Sequence, residues 1–216
     1  MKGIKIDVDG TVIGVEFNDD KPVWEQVNDA LGSEIFEIVR TGLNMPENRV
    51  ILLVDESGLC KGLKYNPVAT DVAESFGCYP GIYLVGPVLI MAEGMTDDGP
   101  DLVDMPLGLY DNFLHLTTII SKCIFKQPIS LYDYMAMSFI SGDNLFEGPF
   151  IIKVEDKEKI EEFVANPDPD LLKTIIIYGT EDADKDPDNY VGVFIQPREI
   201  DSGSEIIDFT KPHVLH

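Results

Sequence analysis

The chain is short of the residues that most enzymes use for covalent and metal chemistry. Of its 216 residues only three are cysteine, at Cys60, Cys78 and Cys123, and only three are histidine. Two of the histidines, His213 and His216, lie in the last four positions. The cysteines are odd in number and form no CxxC pair or Cys/His cluster, which argues against a zinc site or a disulfide framework and predicts idle thiols in a reducing cytoplasm. No GxSxG, no P-loop and no Gly-rich phosphate cradle occurs. No apolar run is long enough to span a bilayer, and MKGIKIDVDG lacks the apolar stretch of a signal peptide. The expected location is therefore cytoplasmic, with no membrane partner.

Basic residues are the second shortage. Sixteen lysines and arginines stand against 39 acids, a net charge of −23 and a pI near 4.2. Such a surface repels nucleic acid and anionic membranes alike, so neither is an expected partner. It suits a basic protein surface, including a host protein whose groove normally holds DNA, and it also serves solubility. With 44% hydrophobic residues the chain is globular and not an acidic tail. Its length allows one large domain or two small ones.

The N-terminal stretch IKIDVDGTVIGVEF contains DVDGT, the letters that open the haloacid-dehalogenase phosphatases. That reading makes Asp7 a phosphoryl-accepting nucleophile and Asp9 its acid/base, with Mg2+ bridging carboxylate and phosphate. The strand before such a nucleophile is parallel and buried on both faces, and reads as continuous apolar residues. Here Lys5 interrupts it, and the later motifs do not follow in order. The competing reading is a hairpin with Asp9-Gly10 at the centre of a two-residue turn. It pairs Val8 with Thr11, Ile6 with Ile13 and Ile4 with Val15, and leaves Asp7 on the polar face.

Further along, Val23, Val27, Ala30 and Leu31 recur at helical spacing, and Gly32 is placed to end that helix. Strands are expected at Ile35–Val39, at Val50–Val54 with a return over Leu59–Leu63, and at Gly81–Ala92, where Pro87 signals an edge, a bulge or two shorter strands. EGMTDDGPDLVDMP reads as a loop or linker. A composition shift follows. Leu109, Phe113, Leu116, Ile120 and Cys123 form one helical stripe, with His115 half-buried within it. SLYDYMAMSFI is a second helix capped by Ser130. PFIIKV, TIIIYG and YVGVFIQ read as strands, EDKEKIEEFVAN as a charged helix with Ile160, Phe163 and Val164 inward, and EIIDF as a last strand. The order β-β-α-β-β-β-β, then α-α-β-α-β-β, predicts an α+β protein in two parts, 1–105 and 106–216. The first is a small mixed or antiparallel sheet with one helix, and the second is helix-rich.

Several of these segments also occur in a known order. IFEIV (Ile35–Val39) is followed by VDESG (Val54–Gly58), KGL (Lys61–Leu63), Asn66-Pro67 and VGPVL (Val85–Leu89). In this the first half, roughly residues 1–105, resembles the domain-of-unknown-function 3846 family of phage and mobile-element proteins. The resemblance implies a fold and a mobile-element setting, and it carries over no catalytic residues.

Three constellations remain. Asp182, Asp184, Asp186 and Asp188 alternate as in a calcium loop, but positions six and twelve hold Pro187 and Val193 where an EF-hand needs Gly and Glu. A solvated acidic hairpin loop is the expectation. Glu93, Asp97, Asp98, Asp101 and Asp104 form a second acidic cluster. Held along a ridge they would imitate DNA phosphates, and as a linker they would not. Arg40, Lys61, Lys64 and Asn66 are the candidate ligands for a small anion such as a nucleotide, against the bland reading of turn residues and surface lysines. No catalytic residue, metal site or cofactor is expected. The leading expectation is a non-enzymatic acidic accessory protein of a phage, plasmid or conjugative element that binds a host factor, in one form as a DNA-mimic antidefence protein. The alternatives are a nucleotide-binding or sequestering protein and the Mg-dependent phosphatase.

Overall fold

The computed structural model describes residues 1–45, 48–79, 81–135, 150–166, 168–197 and 209–214. The chain is an α+β protein that divides into two compact units, Met1–Phe125 and Lys126–His216.

Unit one is built on an antiparallel sheet of six strands: β1 (Lys2–Ile6), β2 (Val12–Glu16), β3 (Phe36–Asn44), β4 (Asn48–Asp55), β5 (Val88–Thr96) and β6 (Gly99–Val103). The order is β2-β1-β5-β4-β3, with β6 beside β5. One edge of β5 carries β4. The other is shared, with β1 pairing Val88–Ile90 and β6 pairing Ala92–Thr96. β5 starts directly after Pro87, which cannot donate to a ladder, and Val85 makes only an isolated bridge to Tyr65.

The apolar runs VILLV and VLIMA are continuous because both faces of the sheet are covered. On one face Ile51, Leu53, Leu89 and Met91 pack with Phe17 and with Val27 and Leu31 of helix α1 (Val23–Leu31). Gly32 ends that helix at φ +66°, with its own N–H and that of Ser33 returning to Asp29 and Asn28. On the other face Ile4, Ile6, Leu52 and Ile90 are fully buried. There α3 (Leu107–Ile124) packs on β1 and β2 and against α2 (Pro67–Ser75), whose Phe76 cap meets Phe113 with ring centroids 4.9 Å apart.

Several sequence expectations need correction. The first hairpin is offset by one residue, with Ile4 opposite Gly14 and Ile6 opposite Val12. Asp7 donates its N–H to the Thr11 carbonyl and Gly10 donates to Asp7, so the loop has three residues with Gly10 at φ +86°. A one-residue slip turns every side chain of the second arm over. Ile13, expected in the apolar row, is 44% exposed, and the pairs Val8–Thr11, Ile6–Ile13 and Ile4–Val15 do not form. EGMTDDGPDLVDMP is a β5–β6 hairpin and not a linker. Leu59–Leu63 is a series of turns and not a returning strand. Helix α2 stands where the sequence pattern gives no helix, although Asn66-Pro67 is an N-cap followed by Pro at the first helical position. The division falls after Phe125 and not after residue 105, because α3 belongs to the first sheet. Its inward side is carried by Tyr110, Thr117, Ile119, Ile120 and Ser121, while His115 and Cys123 are exposed.

Unit two contains β7 (Ile129–Ser130), β8 (Phe150–Lys153), a 3-10 turn at Val154–Asp156, α4 (Lys157–Ala165), α5 (Pro169–Thr174), β9 (Ile176–Ile177), α6 (Thr180–Lys185), β10 (Tyr190–Pro197) and β11 (Phe209–Val214). Its core joins Leu131, Phe150, Ile152, Ile160, Phe163, Leu172, Ile175 and Val193, with Val164 partly buried against it. The Ser130 hydroxyl accepts the Asp133 N–H at 3.1 Å, as an N-cap does. The remainder of SLYDYMAMSFI beyond Met135 and all of EIIDF before Phe209 lie outside the described residues. TIIIYG supplies only the two-residue β9, and the segment after it is helical where a hairpin loop was expected.

Candidate functional site

Asp7 and Asp9 occupy the first hairpin's loop. The Lys5 ammonium lies 3.2 Å from the Asp7 carboxylate. Asp9 accepts the Thr11 N–H at 2.9 Å, and that bond holds its carboxyl below the usual range. The loop is seated on α3. Ser121 donates its hydroxyl to the Gly10 carbonyl, and a Cβ on Gly10 would collide with the Phe125 ring. Every strand pair among the described residues is antiparallel, so Asp7 follows a strand of a different kind from the one that carries a phosphatase nucleophile.

The four candidate anion ligands do not form one site. Asn66 is fully buried. Its Oδ1 accepts the Ala69 N–H at 3.0 Å, and its Nδ2 donates to the carbonyls of Ile6 at 3.1 Å and Gly86 at 2.9 Å. Both amide hydrogens are thus spent tying α2 to β1 and to the chain before β5, which removes Asn66 from any ligand set. Lys61 reaches Asp55 at 2.7 Å, and Lys64 is exposed in the loop before α2. Arg40 lies apart from these on β3.

Arg40 and Glu93 do meet. The guanidinium donates through Nε and one terminal nitrogen to the two carboxylate oxygens, at 3.1 and 2.8 Å. Such a two-point pair fixes both side chains. The Glu93 side chain is only 12% exposed, so it leaves the acidic surface it was expected to join. Its hydrogen bond and charge push the Arg40 pKa up. Asp97, Asp98, Asp101 and Asp104 are exposed, at the tip and along the return of the β5–β6 hairpin. Asp104 accepts the Lys2 N–H at 3.0 Å, and no lysine or arginine among the described residues pairs with the other three. Met95, 76% exposed, stands beside them. Asp182 and Asp184 lie on α6, Asp186 accepts from the Asn189 amide at 2.6 Å, and Asp188 is exposed. Asp182 and Asp184, two apart on α6, point in different directions. No group of three His, Cys, Asp or Glu side chains among the described residues is placed to hold a metal.

Arg40 also lines a cavity that the sequence did not disclose. Helix α1 leaves part of its sheet face uncovered, and two cavities of about 380 Å³ each open there with Glu93 and Pro100 common to both. Arg40, Asn44, Asn48 and Arg49 line the first, and Trp24, Phe36, Ile38 and Leu102 line the second. The Arg49 Nε donates to Asn44 Oδ1 at 2.8 Å, and Trp24 is 56% exposed. The available signal was scarcity. The chain has three arginines, and a β3–β4 pairing brings two of them to one end of the sheet. Comparison with protein-family models, with curated proteins and with solved structures returns no match for the chain.

Proposed function

We propose that the protein acts by binding, as a non-enzymatic acidic accessory protein of a phage, plasmid or conjugative element that docks on a basic surface of a host protein. One observation carries this reading. The carboxylates of Asp97, Asp98 and Asp101 are held exposed by the β5–β6 ladder, in a chain of net charge −23. A flexible linker would lose entropy on docking, whereas a paired hairpin presents its charges already placed. Met95 adds an apolar anchor beside them, and such side chains adapt well to a partner's surface. The resemblance of residues 1–105 to mobile-element proteins supplies the setting.

Charge spacing decides between a basic face in general and a DNA groove in particular. A strand advances about 3.4 Å per residue, and β6 itself carries one acid, Asp101, with Asp97 and Asp98 in the turn before it and Asp104 just past its end. Duplex DNA carries a charge about every 1.7 Å. The hairpin alone is too sparse to imitate a duplex, and a basic protein face is the better-supported partner.

Capture from host lysate over a salt series, using the wild-type chain and an Asp97→Asn, Asp98→Asn, Asp101→Asn variant, tests the proposal. The expected result is a specific partner held at low salt, released steeply as salt rises, and lost in the variant. No partner at low salt, or equal capture by the variant, overturns it.

A further inference from the structure

The uncovered sheet face beside α1 places arginines close to the chain's single tryptophan. Two of its three arginines and its single tryptophan line the paired cavities. Arg40 is already neutralised by Glu93, whereas Arg49 bonds only the neutral Asn44 amide among the described residues. The first cavity therefore carries one uncompensated guanidinium and a second held in fixed orientation beside it. Guanidinium groups bind phosphate and carboxylate through parallel N–H donors. The second cavity offers Phe36, Ile38 and Leu102, with Trp24 exposed at its edge. A half-exposed indole is an efficient surface for a flat ring.

We infer that this groove binds a small amphipathic anion, with a planar apolar body against Trp24 and a phosphate or carboxylate head at Arg49 and Arg40. The cavity volumes fall within the range of about 300–1,000 Å³ that small-ligand sites occupy. The negative charge of the whole chain does not forbid an anion here. Glu93 and Asp101 are the acids that line the groove, while exposed charges more than about 10 Å away are largely screened at moderate salt and a guanidinium in contact is not. Glu93 sets the selectivity. It shares Arg40 with the ligand head and so disfavours heads of high charge, which must lie near its carboxylate.

Trp24 makes the test specific, because all tryptophan emission of the chain comes from this site. The full chain is titrated with adenosine monophosphate, with benzoate and with uncharged adenosine. The expected result is a saturable emission change with one or both anions, the stronger identifying the head group. Adenosine should bind about tenfold or more weakly than adenosine monophosphate, as should adenosine monophosphate to Arg49→Ala, since each lacks a charged hydrogen bond. Arg49 is only partly buried, so an unchanged thermal transition shows that the variant still folds. No saturable change with either anion overturns the inference. So does an unaltered affinity in Arg49→Ala, or adenosine binding as well as its phosphate.

Discussion

Asp55 shows how a polar side chain is held inside this protein. Its carboxylate is 1% exposed, with Lys61 at 2.7 Å and the Ser57 N–H and hydroxyl at 3.0 and 3.1 Å on the other oxygen. Burial opposes ionisation, but Lys61 and Ser57 together outweigh it, and the pKa lies below the ordinary value. A depressed pKa stabilises the fold fully above the unfolded carboxyl's pKa, about 3.9, and the contribution is lost as pH falls through the folded value. Asp55→Asn should therefore cost about 1 kcal/mol at neutral pH, a modest figure because Lys61 is partly solvated. Urea unfolding of both proteins at neutral and acid pH should show the gap closing on acidification, and a constant gap would refute the ion-pair account. Residue types were legible in the sequence where residue roles were not. Lys61 and Asn66 are both natural anion ligands, and only burial and partner geometry reveal that one serves Asp55 and the other two carbonyls and a helix cap.

At the scale of elements, periodic patterns were readable and turn geometry was not. The α1 stripe and its Gly32 stop, the charged helix α4 and the β8 and β10 strands follow from spacing alone. The first hairpin did not, because Asp-Gly suits a two-residue turn as well as the three-residue loop that forms, and the choice is made by α3 packing on Gly10. Two glycines with positive φ separate the conformational from the packing contribution. Gly32 has nothing within 4 Å of an added Cβ, while Gly10 faces the Phe125 ring. Gly32→Ala should cost about 1–2 kcal/mol for the left-handed backbone alone. Gly10→Ala should cost about 1–3 kcal/mol more, from overpacking against α3. Equal losses in chemical denaturation would show that the loop is not seated on that helix. Helix α2 is not legible in the sequence because Val68, Ala69, Val72 and Ala73 are too few and too small to stand out as a stripe.

For the molecule as a whole, the α+β class was legible from the alternation of strand and helix patterns. The place where one unit ends was not. Composition shifts at residue 105 because the acidic hairpin stops there, yet α3 still packs on β1, β2 and α2. A fragment of residues 1–125 should unfold cooperatively by circular dichroism. A fragment of residues 1–105 should not, since the row of Ile4, Ile6 and Leu52 would lose its cover. Cooperative melting of the shorter fragment would place the boundary back at the composition shift.

The open ends of the first sheet bear on how separate copies of the chain behave. β2, β3 and β6 each pair on one side only, and such an outer strand offers unpaired N–H and C=O groups to any extended segment that drifts past. On β3 that template is broken. Its ladder shifts register between Arg40 and Asn44, and beyond Arg40 the Gly42 N–H is taken by the Phe76 carbonyl at the end of α2. A bulged strand twists away from its neighbour and cannot seed a flat stack. The irregularity that would weaken an isolated hairpin is thus also a guard against aggregation, and the mutual repulsion of chains with a net charge of −23 acts in the same direction.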